Sequence, residues 1–460
     1  MQDANHQAVI LLPQEESPDL LALHHRHPHR YPFLLESVAH GTPQARFDIL
    51  FAFPQATMTL TGLDTVKTDY QENPGHDFLH ELDNWWSQQR VDLLQDCPVP
   101  FHGGWFLYLG YELAGQVEPG LKLPLTATSM PTAFATRIPA AIIHDHDNDK
   151  SWLMIERGQH NASQLLEQMA ADIRAHDKYV AVEKIHHRDL MTEEDPQTYL
   201  DRVHKILGYI REGDVFQVNL SRRWDGDLES SDEDVAIYSR LKKTNPAPFA
   251  GLARYNDICI MSTSPERLIS INEHIIQTRP IAGTRPRSND QQHDQAYSEE
   301  LLGHPKERAE HIMLIDLERN DLGRVCEPGS IHVSELMILE SYAHVHHIVS
   351  NVQGKLRDDV TPGQAIRATF PGGTITGCPK VRCMEIIAEL EQESRGPYTG
   401  SMGYLNRDGS LDLNILIRTL LRQGSHVILR AGAGIVADSD PRRELEETRS
   451  KAKGLLLALE

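Results

Sequence analysis

The alternation of hydrophobic and polar positions is clearest between residues 402 and 436, where it predicts antiparallel β-structure. Apolar side chains occupy every second position in 411–417 and again in 427–431. The Asp408-Gly409 dipeptide is a strong hairpin signal because glycine accepts a positive φ angle. We therefore expect this segment to form one antiparallel meander.

Elsewhere the same pattern analysis separates strands from helices. Spacings of three and four residues between apolar positions predict helices over 197–211, 306–322 and 441–459. Further strands are predicted over 46–54, 101–111, 215–220, 258–271 and 275–281. Residues 158–196 are helical by composition and then loop-like, as a connection between two halves would be. Antiparallel strands with segregated helices place the chain in the α+β class.

Two regions are expected, residues 1–180 and residues 190–460, interleaved into one globular unit. The chain has 460 residues, enough to bury a large core. The candidate chemistry described below is concentrated in the second region.

The charge balance narrows the functional classes. Acidic residues outnumber Lys and Arg by 66 to 45, a net charge of -21, which argues against a nucleic-acid partner because that affinity depends on clustered cations. No signal peptide and no long apolar run is seen, so we expect no membrane association. The five scattered cysteines are typical of reduced thiols in a cytoplasmic protein.

Two pairs of glutamates are candidate ligands for a hard cation. Glu307 and Glu310 are three residues apart on a predicted helix, and Glu444 and Glu447 repeat that spacing on the last helix. Two such helices could hold Mg²⁺, with substrate and water completing its coordination. The alternative for each pair is an ordinary solvent-exposed helix surface.

Several other side chains suggest an anion-binding site. Arg418 lies late in an apolar predicted strand, where it requires a carboxylate partner from the substrate or from the protein. Gly432 and Gly434 could let backbone N–H groups approach a ligand, or could mark a bend in a strand. Lys451 follows Glu447 by one helical turn, so it could bind substrate or only pair with that glutamate.

Two further groups are candidates for proton transfer. Glu266, beside a proline turn, could have a raised pKa and donate a proton, or could form an ion pair with Arg267. His347 lies in an apolar stretch, where it is either a site residue or a histidine of the core.

Three segments resemble the chorismate-utilising enzymes: residues 278–287, 306–311 and 371–380. This resemblance covers residues 190–460 strongly and the N-terminal third weakly. It implies two antiparallel sheets packed as a sandwich with helices outside, and chorismate as the substrate. It also implies Mg²⁺ held by Glu310 and Glu447, with Glu307 and Glu444 in support.

The resemblance assigns further roles to residues of this sequence. It implies that Glu266 protonates the departing 4-hydroxyl group of chorismate, which makes a poor leaving group into a better one. The implied catalytic set is Glu266, Thr284 and His347. The implied substrate-binding set is Tyr404, Arg418, Gly432, Gly434, Lys451 and Gly377.

The identity of the incoming nucleophile follows from Gln217. Family members that add water have a lysine at this position, so the resemblance favours the members that use ammonia from a glutamine amidotransferase subunit. Residues 371–377 and 346–350 resemble aminodeoxychorismate synthase component I, which acts towards p-aminobenzoate and folate. Ala282 instead matches anthranilate synthase component I, since aminodeoxychorismate synthases have a nucleophilic lysine there. We prefer aminodeoxychorismate synthase component I, and anthranilate synthase component I is the alternative.

A second ligand is also implied. Residues 34–37 resemble a tryptophan-binding element of this family, and residues 245–249 resemble its partner. The expected tryptophan-binding residues are Leu35, Glu36, Ser37, Pro246 and Phe249.

Overall fold

The computed structural model describes nine stretches of the chain, namely residues 9–14, 17–39, 45–94, 97–125, 130–175, 185–229, 233–288, 290–341 and 345–460. All statements on structure below refer to these stretches. None of the helices within them combines the length and the apolar character needed to cross a membrane.

The strands are numbered in chain order. They are β1 (Val9–Gln14), β2 (Phe33–Glu36), β3 (Phe47–Ala52), β4 (Thr57–Thr61), β5 (Thr65–Thr68), β6 (Gly104–Leu109), β7 (Ala133–Ile138), β8 (Ala140–Asp145), β9 (Lys150–Glu156), β10 (His187–Glu193), β11 (Gln217–Leu228), β12 (Phe249–Tyr255), β13 (Ile258–Ser264), β14 (Arg267–Asn272), β15 (Ile275–Thr278), β16 (Ile281–Pro286), β17 (His332–Ser341), β18 (Val345–Lys355), β19 (Gly377–Cys378), β20 (Ser401–Asn406), β21 (Leu411–Asn414), β22 (Thr419–Gln423) and β23 (His426–Val436).

The helices are numbered in the same way. They are α1 (Leu20–Arg26), α2 (Phe78–Gln89), α3 (Ala114–Val117), α4 (Ala162–Arg174), α5 (Pro196–Glu212), α6 (Asp234–Thr244), α7 (Gln291–Gly303), α8 (Pro305–Gly323), α9 (Pro362–Thr369), α10 (Lys380–Glu391) and α11 (Pro441–Leu459).

The strands form two antiparallel sheets. The first sheet has 12 strands in the order β1-β9-β8-β3-β2-β12-β13-β22-β23-β11-β10, with β19 paired to β11. The second has 11 strands in the order β16-β18-β15-β14-β21-β20-β6-β7-β4-β5, with β17 paired to β18. Both sheets combine strands from the first 156 residues with strands from residue 187 onwards.

The two sheets pack face to face through an aromatic core. Phe33 of the first sheet stacks on Phe106 of the second, with ring centroids 4.0 Å apart and planes at 5°. Phe51 meets the same Phe106 ring edge-on at 5.4 Å. Such contacts add to the burial of apolar area, which is the main source of stability in a sandwich of this kind.

Helices cover the outer faces. On β6 the even positions face the opposite sheet, whereas Trp105, Leu107 and Leu109 pack in a core that includes residues of α2, α8 and α9. A third core joins the outer face of the first sheet to α1, α4, α6 and α11. The predicted α+β sandwich with outer helices is therefore confirmed.

The predicted meander is wrong, because it is divided between the sheets. β21 pairs with β14 in the second sheet, while β22 pairs with β13 in the first. Residues 415–418 carry the chain across, and Arg418 lies there with φ 53° instead of within a strand. The predicted strand 258–271 likewise splits at Pro265, where β13 ends in one sheet and β14 begins in the other. Local alternation continues through each crossing, so the pattern alone does not show it.

The connection predicted over 158–196 is more ordered than expected. It contains α4 and then β10, which extends the first sheet by pairing with β11. The charged composition of β10 concealed it, since an edge strand has no need of a continuous apolar face.

The aromatic core between the sheets predicts a large effect of truncation. Phe106 is fully buried, so Phe106→Ala should lower the free energy of unfolding by about 3–5 kcal/mol through lost burial and a residual cavity. The measurement is urea denaturation. Phe216→Ala is the matched control, because 68% of Phe216 is exposed, and it should change stability by less than about 0.5 kcal/mol. Equal losses in the two variants would contradict this account of the core.

Candidate active site

The two sheet crossings lie side by side and place two candidate site residues. The Ser264 hydroxyl donates to the Ile415 carbonyl at 2.5 Å, and the Ile415 amide donates to the Glu266 carbonyl at 3.0 Å. Thr263 N–H donates to the Arg418 carbonyl at 3.1 Å. Glu266 in one crossing and Arg418 in the other are thus fixed by backbone hydrogen bonds that the sheet ladders cannot supply there.

Glu266 is a buried acid whose protonated form is favoured by its surroundings. Its side chain is 5% exposed, and no described residue gives Oε1 a hydrogen bond. Burial raises the pKa of Glu266 to about 7, against smaller lowering effects of the Thr374 hydroxyl, the Ile281 amide and the Lys451 charge. Arg267, the expected ion-pair alternative, instead makes a bidentate contact with Asp412 at 2.8 Å. Glu266 therefore has the properties of a general acid near neutral pH.

Arg418 and Lys451 meet above β23. Arg418 Nη1 donates to the Lys451 carbonyl at 2.9 Å, and Lys451 Nζ donates to the Gly432 carbonyl at 2.9 Å. Lys451 also forms the expected helical pair with Glu447, with Nζ and Oε1 2.6 Å apart. Burial lowers the pKa of the Arg418 guanidinium, and the neighbouring Tyr398 and Glu447 oppose that shift. The two cations make a local positive site in a strongly acidic protein, as an anionic ligand requires.

Gly432 and Gly434 are needed because neighbours fill the space above them. A Cβ on Gly432 would lie 2.7 Å from both the Leu220 carbonyl oxygen and the Tyr398 hydroxyl. A Cβ on Gly434 would lie 2.4 Å from Gln217 Nε2. Both glycines therefore let Tyr398 and Gln217 approach the backbone of β23 closely.

Gly377 has a related role. Its φ angle is 130°, and a Cβ there would lie 2.1 Å from the Gln217 carbonyl oxygen, so it lets β19 pack against β11. Gly377 thereby supports the backbone at Gln217, and this packing role is the one that the structure shows for it.

The first glutamate pair approaches the pocket from α8. Gln217 Nε2 donates to Glu310 Oε1 at 2.7 Å. Glu307 Oε2 would lie 2.9 Å from a Cβ on Gly283, and Glu307 Oε1 is 3.3 Å from Arg285 Nη1. Glu307 and Glu310 both contact other side chains, so neither is the solvent-exposed helix-surface residue that was the alternative for this pair.

The second pair approaches from α11. Glu447 is bound to Lys451, and 49% of its side chain is exposed. The charges of Glu444 and Glu447 both add to the effect of burial in raising the pKa of Tyr199. Gln217, which binds Glu310 of α8, lies against Gly434 of β23, and Lys451, which binds Glu447 of α11, donates to Gly432 of the same strand. Gly432 and Gly434 are roughly 7 Å apart along that strand.

A closed metal cage is not formed by these four carboxylates. Within the described stretches, no three acidic, histidine or cysteine side chains gather closely enough to hold a metal ion. The oxygen donors nevertheless suit Mg²⁺, which commonly takes only one or two protein carboxylates and keeps water or substrate in its other positions. The carboxylates of Glu310 and Glu447 could supply those one or two ligands. The four glutamates together do not surround a single metal position.

His347 lies on β18, opposite Thr284 of β16 in the ladder. It is 7% exposed, and burial, followed by the charge of Arg418, lowers the pKa of His347 to about 4. Its imidazole is therefore neutral at physiological pH. The Thr284 side chain lies outside what the structure describes.

Tyr404 was wrongly predicted to hold substrate with Arg418. Its ring lies in the core between the sheets, with its centroid 5.7 Å from that of Phe101. Tyr398 is the tyrosine beside Arg418 and Gly432. It is positioned because Thr399 N–H donates to the Leu416 carbonyl, in the crossing, at 2.8 Å. Sequence reasoning missed it because the Tyr-Thr-Gly segment forms neither helix nor strand.

A buried acidic cluster behind residues 371–377 was also missed. Glu318 and Asp321 are 5% and 4% exposed, and Lys380 Nζ lies 2.5 Å from Asp321 Oδ2. Burial, with the charges of Asp321 and Glu266, raises the pKa of Glu318 to about 8. The Glu318–Asp321 spacing on α8 was the available signal.

A cavity of about 310 Å³ lies between the sheets, apart from the pocket of Arg418. Leu35, Glu36, Ser37 and Phe249, four of the five residues expected to bind tryptophan, line this cavity. Tyr404 also lines it, and Pro248 occupies the wall position expected for Pro246.

The raised pKa of Glu266 predicts a pH-dependent stability. Because the folded protein binds a proton at Glu266 between pH 4.5 and 7, its ionisation costs stability as pH rises through that window. Glu266→Gln should therefore gain stability over the wild type towards pH 8, by at most about 3 kcal/mol, with little difference near pH 4. Thermal melts across pH measure this. The exposed Glu72→Gln control should run parallel to wild type, and parallel curves for Glu266→Gln would refute the burial account.

Known proteins resemble this chain over most of its length. The profile of the chorismate binding enzyme family matches residues 32–457. An anthranilate synthase component I-like protein of Synechocystis is 44% identical over 80% of this chain and 76% of its own. Aminodeoxychorismate synthase component 1 of Bacillus subtilis is 38% identical over 94% and 92%.

A solved structure extends the likeness to the fold. Anthranilate synthase component I from Streptococcus pneumoniae superposes with a TM-score of 0.80 and 31% identity, covering 91% of this chain and 93% of that one. The profile match spans most of the sequence, including both crossings, α8, β23 and α11. The chain therefore belongs to the chorismate-binding enzyme family and is a chorismate-utilising enzyme of the anthranilate synthase and aminodeoxychorismate synthase type.

Proposed function

We propose that this protein is an aminodeoxychorismate synthase component I, which aminates chorismate at C4 with Mg²⁺ and ammonia. The carrying observation is the contact of Gln217 Nε2 with Glu310 Oε1 at 2.7 Å. A primary amide in this position has no basic nitrogen with which to activate water. The contact therefore favours ammonia, already a nucleophile, over hydration of the ring.

The described residues divide the chemistry between them. Arg418 and Lys451 bind the substrate carboxylate as charge-assisted donors. Protonated Glu266 gives its proton to the 4-hydroxyl as the C4–O bond breaks, so water leaves while an N–C4 bond forms and ammonia gives up a proton. The neutral His347 imidazole can donate or accept a hydrogen bond beside this group.

A divalent cation completes the proposal. When bound, Mg²⁺ would neutralise the ring carboxylate and draw electron density from the reacting ring. Glu310 and Glu447 would hold it, with Gln217 and Lys451 fixing the two carboxylates before the substrate arrives.

Ammonia would come from a glutamine amidotransferase subunit. The relatives named component 1 share this chain almost end to end, and the proposal extends to this protein the two-component organisation that such names describe. The reaction would lie on the route to p-aminobenzoate and folate, in the cytoplasm.

Anthranilate synthase is the second candidate, and Ala282 favours it. Ala282 lies on β16, is 6% exposed and has no nucleophilic group. A route through a covalent lysine at this position is therefore closed, and ammonia must attack the ring directly. Attack that leaves the nitrogen at C2, with loss of the 4-hydroxyl as water and then of the enolpyruvyl group as pyruvate, would give anthranilate.

One incubation separates the two products. Purified protein with chorismate, Mg²⁺ and ammonium should give p-aminobenzoate only after addition of a lyase that removes pyruvate from aminodeoxychorismate. Chromatography with fluorescence detection identifies the product. Anthranilate formed without the lyase would overturn the proposal in favour of the second candidate.

The controls for this incubation use the metal-binding glutamates. EDTA and Glu310→Ala should each reduce turnover at least about 100-fold, since the charge on the substrate would be uncompensated. Glu299→Ala, an exposed glutamate of α7, should leave turnover unchanged. Full activity of Glu310→Ala would refute the assigned metal site.

We also propose that the cavity between the sheets binds tryptophan. Its volume of about 310 Å³ suits a ligand of this size, and its wall combines apolar Phe47, Ile49 and Met402 with polar Ser37. Ser37 is fixed there by its hydroxyl, which donates to the Phe47 carbonyl at 3.1 Å. Its amide donates to Asp48 Oδ1 at 2.7 Å. The Glu36 carboxylate at the same wall pairs with the Lys242 ammonium, with Nζ 2.9 Å from Oε1 and 3.0 Å from Oε2.

Ser37→Ala should weaken tryptophan binding at least tenfold, because a buried hydrogen-bonding group at the ligand is lost. Isothermal calorimetry on ligand-stripped protein measures the affinity. Ser87→Ala, at an exposed position of α2, is the control and should bind as the wild type does. Absence of any heat with the wild-type protein would exclude this ligand.

A further inference from the structure

Arg395 lies buried between α10 and β20, with 3% of its surface exposed. It forms a bidentate pair with Glu391, with Nε 2.9 Å from Oε2 and Nη2 2.7 Å from Oε1. This fork geometry is the strongest form of arginine–carboxylate contact. Neither residue is among those expected to touch chorismate.

The other donors of this guanidinium reach three separate chain segments. Nη2 donates to the Asn219 carbonyl at 2.8 Å, and Nη1 donates to the Ile375 carbonyl and to Thr399 Oγ1, both at 3.3 Å. All five N–H donors of Arg395 thereby have a partner. One side chain therefore joins β11, the loop before β19 and the segment before β20.

Each of these three segments carries a group of the candidate active site. Asn219 lies two residues after Gln217 on the same face of β11, Ile375 follows Thr374, and Thr399 follows Tyr398. The guanidinium also lies 5.6 Å from the centroid of the Tyr398 ring. Displacement of Arg395 would therefore shift three residues together: Gln217, Thr374 and Tyr398.

Glu391 is itself held in place and kept ionised. It accepts hydrogen bonds from the Ser221 amide at 2.8 Å and the Ser221 hydroxyl at 2.9 Å. Although burial acts to raise the pKa of Glu391, the charges and hydrogen bonds of Arg395 and Arg430 lower it below its ordinary value. The pair thus keeps both charges in the interior of the protein.

A buried ion pair is a poor source of net stability. The cost of removing both charges from water is comparable with their attraction, and apolar side chains of similar volume often serve as well. What apolar side chains cannot reproduce is a planar group that directs five hydrogen bonds to fixed points. The value of this pair must then lie in the geometry that it imposes.

We propose that Arg395, held by Glu391, is a positioning residue that sets the relative placement of Gln217, Thr374 and Tyr398 in the active site. The inference rests on the proposed amination of chorismate for its kinetic readout. The side chain acts through its neighbours and does not touch the reacting atoms.

Replacement of both partners separates positioning from stability. In Arg395→Met or Glu391→Met alone a buried charge loses its bidentate partner, so Tm should fall markedly. In the double variant Arg430 loses Glu391 but keeps Glu393, with Nη2 3.0 Å from Oε1. The double variant Arg395→Met/Glu391→Met should recover a Tm near that of wild type, yet its kcat/KM with chorismate and ammonia should stay about 100-fold low, mainly through kcat. Recovery of both Tm and kcat/KM would overturn the proposal.

The matched control is a buried pair remote from the site. Arg422 of β22 and Asp234 of α6 form a bidentate contact, with Nη2 2.7 Å from Oδ2 and exposures of 0% and 3%. The double variant Arg422→Met/Asp234→Met should change kcat/KM less than about threefold. A loss equal to that of the Arg395 double variant would show that any buried pair has this effect, and would overturn the proposal.

A second variant and a second readout cover the other outcomes. Arg395→Lys keeps the charge beside Glu391 but not the planar fork of donors, so it should fold and still lose at least tenfold in kcat/KM. Wild-type kinetics would overturn the proposal.

Hydrogen–deuterium exchange requires no substrate. Amides of 217–221, 374–378 and 398–401 should exchange faster in Arg395→Lys, and unchanged exchange would overturn it. Should wild-type protein fail to convert chorismate, the proposed function fails while this exchange result still decides the positioning role.

Discussion

The candidate active site of this protein depends on the hydrogen bonding of two chain crossings between its sheets. β13 and β22 pair in the first sheet, and their continuations β14 and β21 pair in the second. A chain that leaves one sheet and enters another in a buried place must still satisfy its backbone groups. The Ser264–Ile415 and Glu266–Ile415 contacts do so, and they hold both crossings together. Glu266 and Arg418 are placed by that requirement.

The electrostatic character of the site follows from its position at this seam. Burial favours the neutral form of Glu266 and of His347, so a proton donor and a neutral imidazole coexist near pH 7. Burial lowers the pKa of Arg418, and the nearby Tyr398 and Glu447 partly oppose that effect. Arg418 and Lys451 thus place two cations close together in an acidic protein, where an anionic substrate could be bound.

The family relationship and the residue geometry address different questions. Membership fixes chorismate as the common element, since the profile covers residues 32–457. The relatives include both anthranilate synthase and aminodeoxychorismate synthase, so the name does not choose the product. By the resemblance, Gln217 separates members that use ammonia from those that add water, whereas Ala282 is the position at which aminodeoxychorismate synthases have a lysine. The choice therefore depends on how ammonia approaches the ring, which is a matter of placement within the pocket.

The sequence by itself determined the elements and the chemical types. Periodicity located α5, α8 and α11, and the motifs identified the carboxylates, Arg418 and the glycines, because helical spacing and residue chemistry are local properties. The tertiary structure alone decided that 411–417 and 258–271 change sheets, and that Tyr398, not Tyr404, faces Gly432. It also decided that Glu318 and Arg395 are buried beside the site. These facts depend on contacts between residues far apart in the chain, and an alternating pattern is the same whichever sheet a strand enters.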